Sequence, residues 1–181
     1  LKVGNHVRVV GSVQYYEAGG TWQISDVSYR EFKPDDPGNT KKLDEEFHEA
    51  GNQLLDPDMF VGGKVPVEVM KDISGEETEL ISMDYANLIL STSVKMKNLY
   101  VKSVYTTKSE NDNSNGAMTL ACEVNGVTIS VRTVVLLDAN GNLVTADAYL
   151  GKTISVRGLV DYFDGTYQIK VFSAKNIAVH E

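Results

Sequence analysis

Apolar and polar positions alternate through most of the second half of the chain. In "MTLACEVNGVTISVRT" (118–133), Met118, Leu120, Cys122 and Val124 share one face, and Val127, Ile129 and Val131 continue it past Asn125-Gly126. Period-two alternation marks a half-buried strand, and Asn-Gly between two such runs predicts a hairpin with a type I′ turn. Upstream, "VKMKNLYVKSVYTT" (94–107) reads as one long strand. Its apolar phase slips near Asn98-Leu99, which predicts a bulge. Downstream, "TADAYLG" offers Thr145 as an N-cap, about one helical turn, and Gly151 as its stop.

The next pattern occurs twice. "GLVDYFDGTYQIKVFS" (158–173) resembles "GSVQYYEAGGTWQISDVS" (11–28). Gly11 matches Gly158, Val13 matches Val160, and Tyr15 matches Tyr162. After a turn that differs by two residues, Thr21-Trp22-Gln23-Ile24 matches Thr166-Tyr167-Gln168-Ile169. Both copies predict antiparallel hairpins, with Gly19-Gly20 and Asp164-Gly165 supplying positive-φ turn residues. A glycine in mid-strand, at 11 and 158, permits a bulge or a sharp coil of the strand.

The order strand, strand, strand, short helix, strand, strand across 94–180 resembles the OB-fold, a five-stranded partly open barrel. The closing "GKTISVRGLVDYFDGTYQIKVFS" is similar to the last two strands of OB domains in bacterial surface proteins, lipoproteins and secreted nucleases. The first copy starts where the helix of such a domain would end, so the chain is either a fragment of a longer array or a rearrangement. In the favoured arrangement residues 1–92 form an irregular or truncated OB-like domain and residues 93–181 an OB-fold domain. The first would combine its hairpin, a helix over "NTKKLDEEFHEAGNQLL" and a hairpin over "KVPVEVMKDISGEETELISM". In that helix Leu43, Phe47, Ala50 and Leu54 fall at helical spacing, with Asn39 or Thr40 as cap. The expected fold class is mainly β, with tandem five-stranded OB-like barrels, each bearing a short helix.

At 181 residues and 42% hydrophobic content a packed core is expected. No window approaches the length of a membrane helix. The opening Leu1-Lys2-Val3 reads as a mature or cut form, any signal peptide lying outside it. The formal charge of −8 is uneven. Residues 1–92 hold 8 Lys+Arg against 17 Asp+Glu, and residues 93–181 hold 9 against 8. Phosphate backbones are bound through Lys and Arg, so this balance counts against non-specific nucleic-acid binding.

Motif chemistry is sparse. The lone Cys122 lies on an apolar strand face and reads as core. "NDNSNG" (111–116) spaces Asn111, Asn113 and Asn115 like the first ligands of an EF-hand, but Cys122 stands where a bidentate Glu is needed. It reads as a hairpin loop, and "DANGN" (138–142) as a turn. His6, His48 and His180 are isolated and no Cys pair exists, so a zinc site is excluded. Asp35-Asp36 and Glu45-Glu46 read as solvated acidic surface. No metal and no cofactor are expected.

The outer face of the central hairpin would be Thr119, Ala121, Glu123, Thr128, Ser130 and Arg132, with no aromatic residue and one cation. The aromatics gather on the repeated hairpins instead. The candidate ligand-binding residues are therefore Tyr162, Phe163, Tyr167, Lys170 and Arg157, with Tyr15, Tyr16 and Trp22 on the first copy. The expectation is a non-enzymatic binding module of a larger bacterial, exported or cell-surface protein. Its ligand would be a peptide, a glycan or a single-stranded nucleic acid, and sheet edges allow self-association. The alternatives are a structural spacer without a ligand and a single-strand binder.

Overall fold

The computed structural model describes residues 1–2, 4–17, 21–25, 39–48, 51–71, 77–109 and 113–180. Among the described residues the protein is mainly β, with 54% of them in strands. The chain divides into two compact units, Leu1–Gly51 and Asn52–Glu181. The sequence expectation drew its division at 92/93. Among the described residues no helix is long and apolar enough to cross a membrane.

In the first unit β1 (Val7–Val9) is followed by β2 (Ser12–Tyr16), β3 (Thr21–Ser25) and β4 (Thr40–Lys42). β2 pairs antiparallel with β3, placing Val13 opposite Ile24 and Tyr15 opposite Trp22. β1 pairs antiparallel with β4, from Val7 opposite Lys42 to Val9 opposite Thr40. The helix expected over 39–55 does not form in its described part. Thr40–Lys42 is a strand, and residues 43–48 are irregular. Ladder pairing with β1 and burial of Thr40 override the helical spacing of Leu43 and Phe47. Gly19-Gly20, Asp35-Asp36 and Ala50 lie outside the described residues.

The second unit opens with β5 (Gln53–Leu54) and α1 (Pro57–Gly62), then β6 (Lys64–Met70) and β7 (Thr78–Asp84). α1 starts where Asp56 caps it: its carboxylate accepts from the Asp58 and Met59 amides at 2.9 and 3.0 Å, and Pro57 stands in the first turn. β6 and β7 form the expected hairpin, from Lys64 opposite Asp84 to Met70 opposite Thr78. The four-residue helix α2 (Tyr85–Leu88) leads into β8 (Ser93–Thr106), β9 (Met118–Val124), β10 (Val127–Thr133), β11 (Thr153–Phe163), β12 (Thr166–Val171) and β13 (Ile177–His180).

Five of these strands close on themselves. β8 pairs β9, β9 pairs β10, β10 runs parallel to β12, β12 pairs β11, and β11 returns to β8. The result is a closed five-stranded barrel, compatible with an OB-fold. A single 3₁₀ turn, Ala146–Ala148, lies between the third and fourth barrel strands, followed by Gly151 at φ 72°. The barrel core is the alternating set read from the sequence. Val94, Met96, Leu99, Val101, Met118, Leu120, Cys122, Ile129 and Val131 are all buried, joined by Val160 and Ile169. The phase slip in β8 is a bulge. Leu99 faces Ile154 and Met96 faces Val156, so β8 holds one extra residue there, with Asn98 at φ 59°. Asn125-Gly126 turns with both φ positive, as does Asp164-Gly165. The 138–142 segment is the expected turn, the Asp138 carboxylate accepting from the Asn140 and Asn142 amides, each at 2.8 Å.

The repeated hairpins share one register. Val160 faces Ile169 and Tyr162 faces Tyr167, as Val13 faces Ile24 and Tyr15 faces Trp22. Their glycines solve the same steric problem. A Cβ on Gly158 would run into the Lys170 carbonyl and lie 2.9 Å from the Ile169 methyl; one on Gly11 would run into the Ser25 carbonyl and lie 2.6 Å from the Ile24 methyl. Burial does not recur: Val160 is 1% exposed and Val13 73%.

Gly158→Ala should lower stability by about 1–3 kcal/mol, the ordinary cost of overpacking, read from the denaturant midpoint. An unchanged midpoint would refute the close approach. Burial pushes the Cys122 thiol up from 9.0 to about 12. The folded value lies above the unfolded one, so the neutral thiol's contribution is intact below pH 9 and is lost as pH rises toward 12. A thiol reagent should label the native protein far more slowly than the denatured one, and Cys122→Ala should soften the alkaline loss of stability.

Candidate functional site

Alternation along β9, β10 and β12 sends one residue in two outward from the barrel. Thr119, Ser130, Arg132, Gln168 and Lys170 line a cleft of about 860 Å³. The loop from Thr107 to Ala117 borders it on one side, and the tight turn at Asp164 on the other. The first loop closes through Thr107 and Ala117, the Thr107 amide donating to the Ala117 carbonyl at 2.8 Å and the Gly116 amide to the Thr107 carbonyl at 2.9 Å. Glu110, and Asn111 and Asp112 of the EF-hand-like run, lie outside the described residues.

Among the described residues two aromatic side chains line the cleft, Phe163 at 70% exposure and Tyr105 at 66%. Among the same residues four charged groups line it, Arg132 and Lys170 against Asp161 and Asp164. Arg132 is anchored, its two terminal nitrogens donating to the Thr119 and Thr107 hydroxyls at 3.0 Å each. It thereby ties the loop to β9 and β10. Asp161 accepts from the Gln168 amide at 2.8 Å and lies 3.8 Å from the Lys170 ammonium. The remaining lining is largely hydroxyl and amide groups, among them Thr107, Asn113 and Thr166. Such a surface donates and accepts hydrogen bonds and offers flat apolar rings, without a dominant charge.

The expected site residues do not assemble in one place. Phe163 and Lys170 line the cleft. Tyr162 precedes Phe163 in an extended strand and therefore leaves the opposite face; its ring packs on Tyr167, centroids 4.9 Å apart. The Tyr167 hydroxyl is pushed up chiefly by desolvation, with Asp84 adding to it. Arg157 lines a second cleft of about 430 Å³, with Lys95, Lys97 and Lys175. There the Ser155 hydroxyl and His180 Nε2 share a hydrogen bond of 2.7 Å. Tyr15 and Trp22 pair in the first unit at 5.3 Å, and the exposed Tyr16 follows on the other strand face.

Tyr105, Asp161 and Gln168 belong to the cleft but escaped the sequence reading. The signal was present in the alternation. Asp161 and Phe163 share a face, as do Thr166, Gln168 and Lys170, and the register joins these two sets. The histidines were also misjudged: His6 and His48 are not isolated, their rings lying 5.0 Å apart. No protein-family model matches the chain, and no curated protein matches it.

Removing the Arg132 anchor should loosen the 107–117 loop. Arg132→Ala is expected to cost about 1–3 kcal/mol, for hydrogen bonds from a charged group, and to speed amide exchange at Thr107 and Gly116. Unaltered exchange at both amides would show that the guanidinium does not hold the loop.

Proposed function

We propose that the chain is a non-catalytic ligand-binding module of a larger, exported bacterial protein, holding an uncharged polar polymer, a glycan segment, in the cleft of an OB-fold barrel. The observation that carries this reading is the cleft's composition: two exposed rings, Phe163 and Tyr105, among hydroxyl and amide groups with charges in balance. Sugar rings present apolar C–H faces to aromatic rings and hydroxyls to polar side chains, which is what such a lining recognises. A polyanion would meet Asp161, 3.8 Å from the Lys170 ammonium, and Asp164 in the same lining. Hydroxyl and amide groups in such a lining are suited to binding and orienting a ligand. The exported setting and a tandem arrangement of two OB-like domains rest on the sequence resemblance.

A second reading, binding of a phosphate-bearing single strand, is favoured by the other cleft. Lys95, Lys97, Arg157 and Lys175 converge there, and Lys95 and Arg157 are cross-strand partners.

A glycan array run beside a titration with dT oligomers at physiological salt separates the readings. On the proposed function, glycans bind and dT does not. Phe163→Ala then weakens glycan binding about tenfold or more, as loss of a stacked ring implies, while Arg157→Ala leaves it unchanged. Peptide binding alone would replace the glycan, dT binding that fades with added salt would favour the second reading, and silence in every arm would favour a spacer.

A further inference from the structure

We propose that His6, Asp44 and His48 form a binding site for a divalent transition metal, Zn²⁺ being the ion their chemistry fits. The site is independent of the barrel cleft and belongs to the Leu1–Gly51 unit. One ligand atom from each residue lies within 4.8 Å of the other two. Asp44 stands between the rings. Its Oδ1 is 2.8 Å from His48 Nε2, and its Oδ2 is 3.2 Å from His6 Nδ1.

The backbone builds this arrangement. β1 and β4 pair, which brings residue 6 beside residue 43, and the Leu43 amide donates to the His6 carbonyl at 2.9 Å. Farther along, the His48 amide donates to the Gly4 carbonyl at 2.8 Å. Residues 43–48 are thus fastened at both ends to the segment that carries His6. Gly4, at φ 90°, completes the fit. The Phe47 ring occupies the space where any Cβ at residue 4 would stand. Within the loop the Glu46 amide donates to Asp44 Oδ1 at 3.1 Å, orienting the carboxylate.

The donor set is two imidazoles and one carboxylate. That is the three-ligand complement of open zinc sites, with a fourth position left for water or an external ligand. Bond lengths of about 2.1 Å in a tetrahedron space ligand atoms about 3.4 Å apart. The separation of His48 Nε2 from Asp44 Oδ1, 2.8 Å, is near that spacing, and all three ligand atoms lie within 4.8 Å of one another. Side-chain rotation alone would admit the ion, since all three residues retain solvent access. The metal would replace the two His–Asp hydrogen bonds and cross-link β1 to the loop after β4.

The test uses the whole chain, purified without a histidine tag and freed of metal by a chelator. Co²⁺ is titrated in and followed by its visible absorption, and Zn²⁺ is then used to displace it. The expected result is one ion per chain, with a higher melting temperature when Zn²⁺ is present. Asp44→Asn keeps the shape of the side chain and should weaken binding at least about tenfold, as should His6→Ala and His48→Ala. His180→Ala should bind as the parent does. Circular dichroism on each variant separates lost ligation from lost folding, and Asp44→Asn decides the matter where a histidine variant unfolds. Failure of the parent to bind, unchanged affinity in a folded Asp44→Asn, or an equal loss in His180→Ala would overturn the proposal.

Discussion

The barrel depends on the ladder that closes it, between its first strand, β8, and β11. β8 carries β9 on one side and β11 on the other, and without both ladders the sheet is open. A straight 14-residue strand would not serve the two neighbours at once. β8 is bent where it gains an extra residue against β11 near Asn98 and another against β9 near Lys102. Each bulge increases local twist and coiling, and together they let the strand pass from one partner to the next. Asn98, an amino acid that tolerates the left-handed region, occupies the first of these irregularities.

Closure then determines what is exposed. Once β10 lies beside β12, every second residue of β9, β10 and β12 is driven inward and its neighbours are driven out. The core and the cleft are two sides of one pleat. Loop anchoring follows from it as well, because Arg132 leaves β10 on the outer side at the height of Thr119 and reaches Thr107.

The parts of this arrangement that were legible in the sequence are those set by local periodicity. The hairpin at Asn125-Gly126, the phase slip in β8, the turn at Asp164-Gly165 and the buried run from Met118 to Val131 follow from alternation and turn chemistry alone. What escaped was set by distant pairing. The segment around Leu43 has helical spacing, yet three residues of it pair with a strand more than thirty residues upstream. The same pairing joins His6 to Asp44, 38 positions apart, and no window short enough to show periodicity contains both. α1 was a different miss. Asp56-Pro57 is a helix start with a clear mechanism, but the helix is only six residues long and too short to show a 3.6-residue repeat. Tyr162 and Phe163 were grouped because both lie on the repeated hairpin, whereas neighbours in a strand leave on opposite faces.

The pairing of β11 with β12 separates two kinds of change that a protein sequence can undergo. Positions 160, 169 and 171 face the core, while 161, 163, 166, 168 and 170 line the cleft. The lining of the cleft and foldability are thus written in alternate letters of the same two strands. Substitutions in one set can accumulate while the other stands still, and the cleft can change its lining without repacking the core. An insertion or deletion of a single residue has no such freedom, because beyond it the two alphabets trade places.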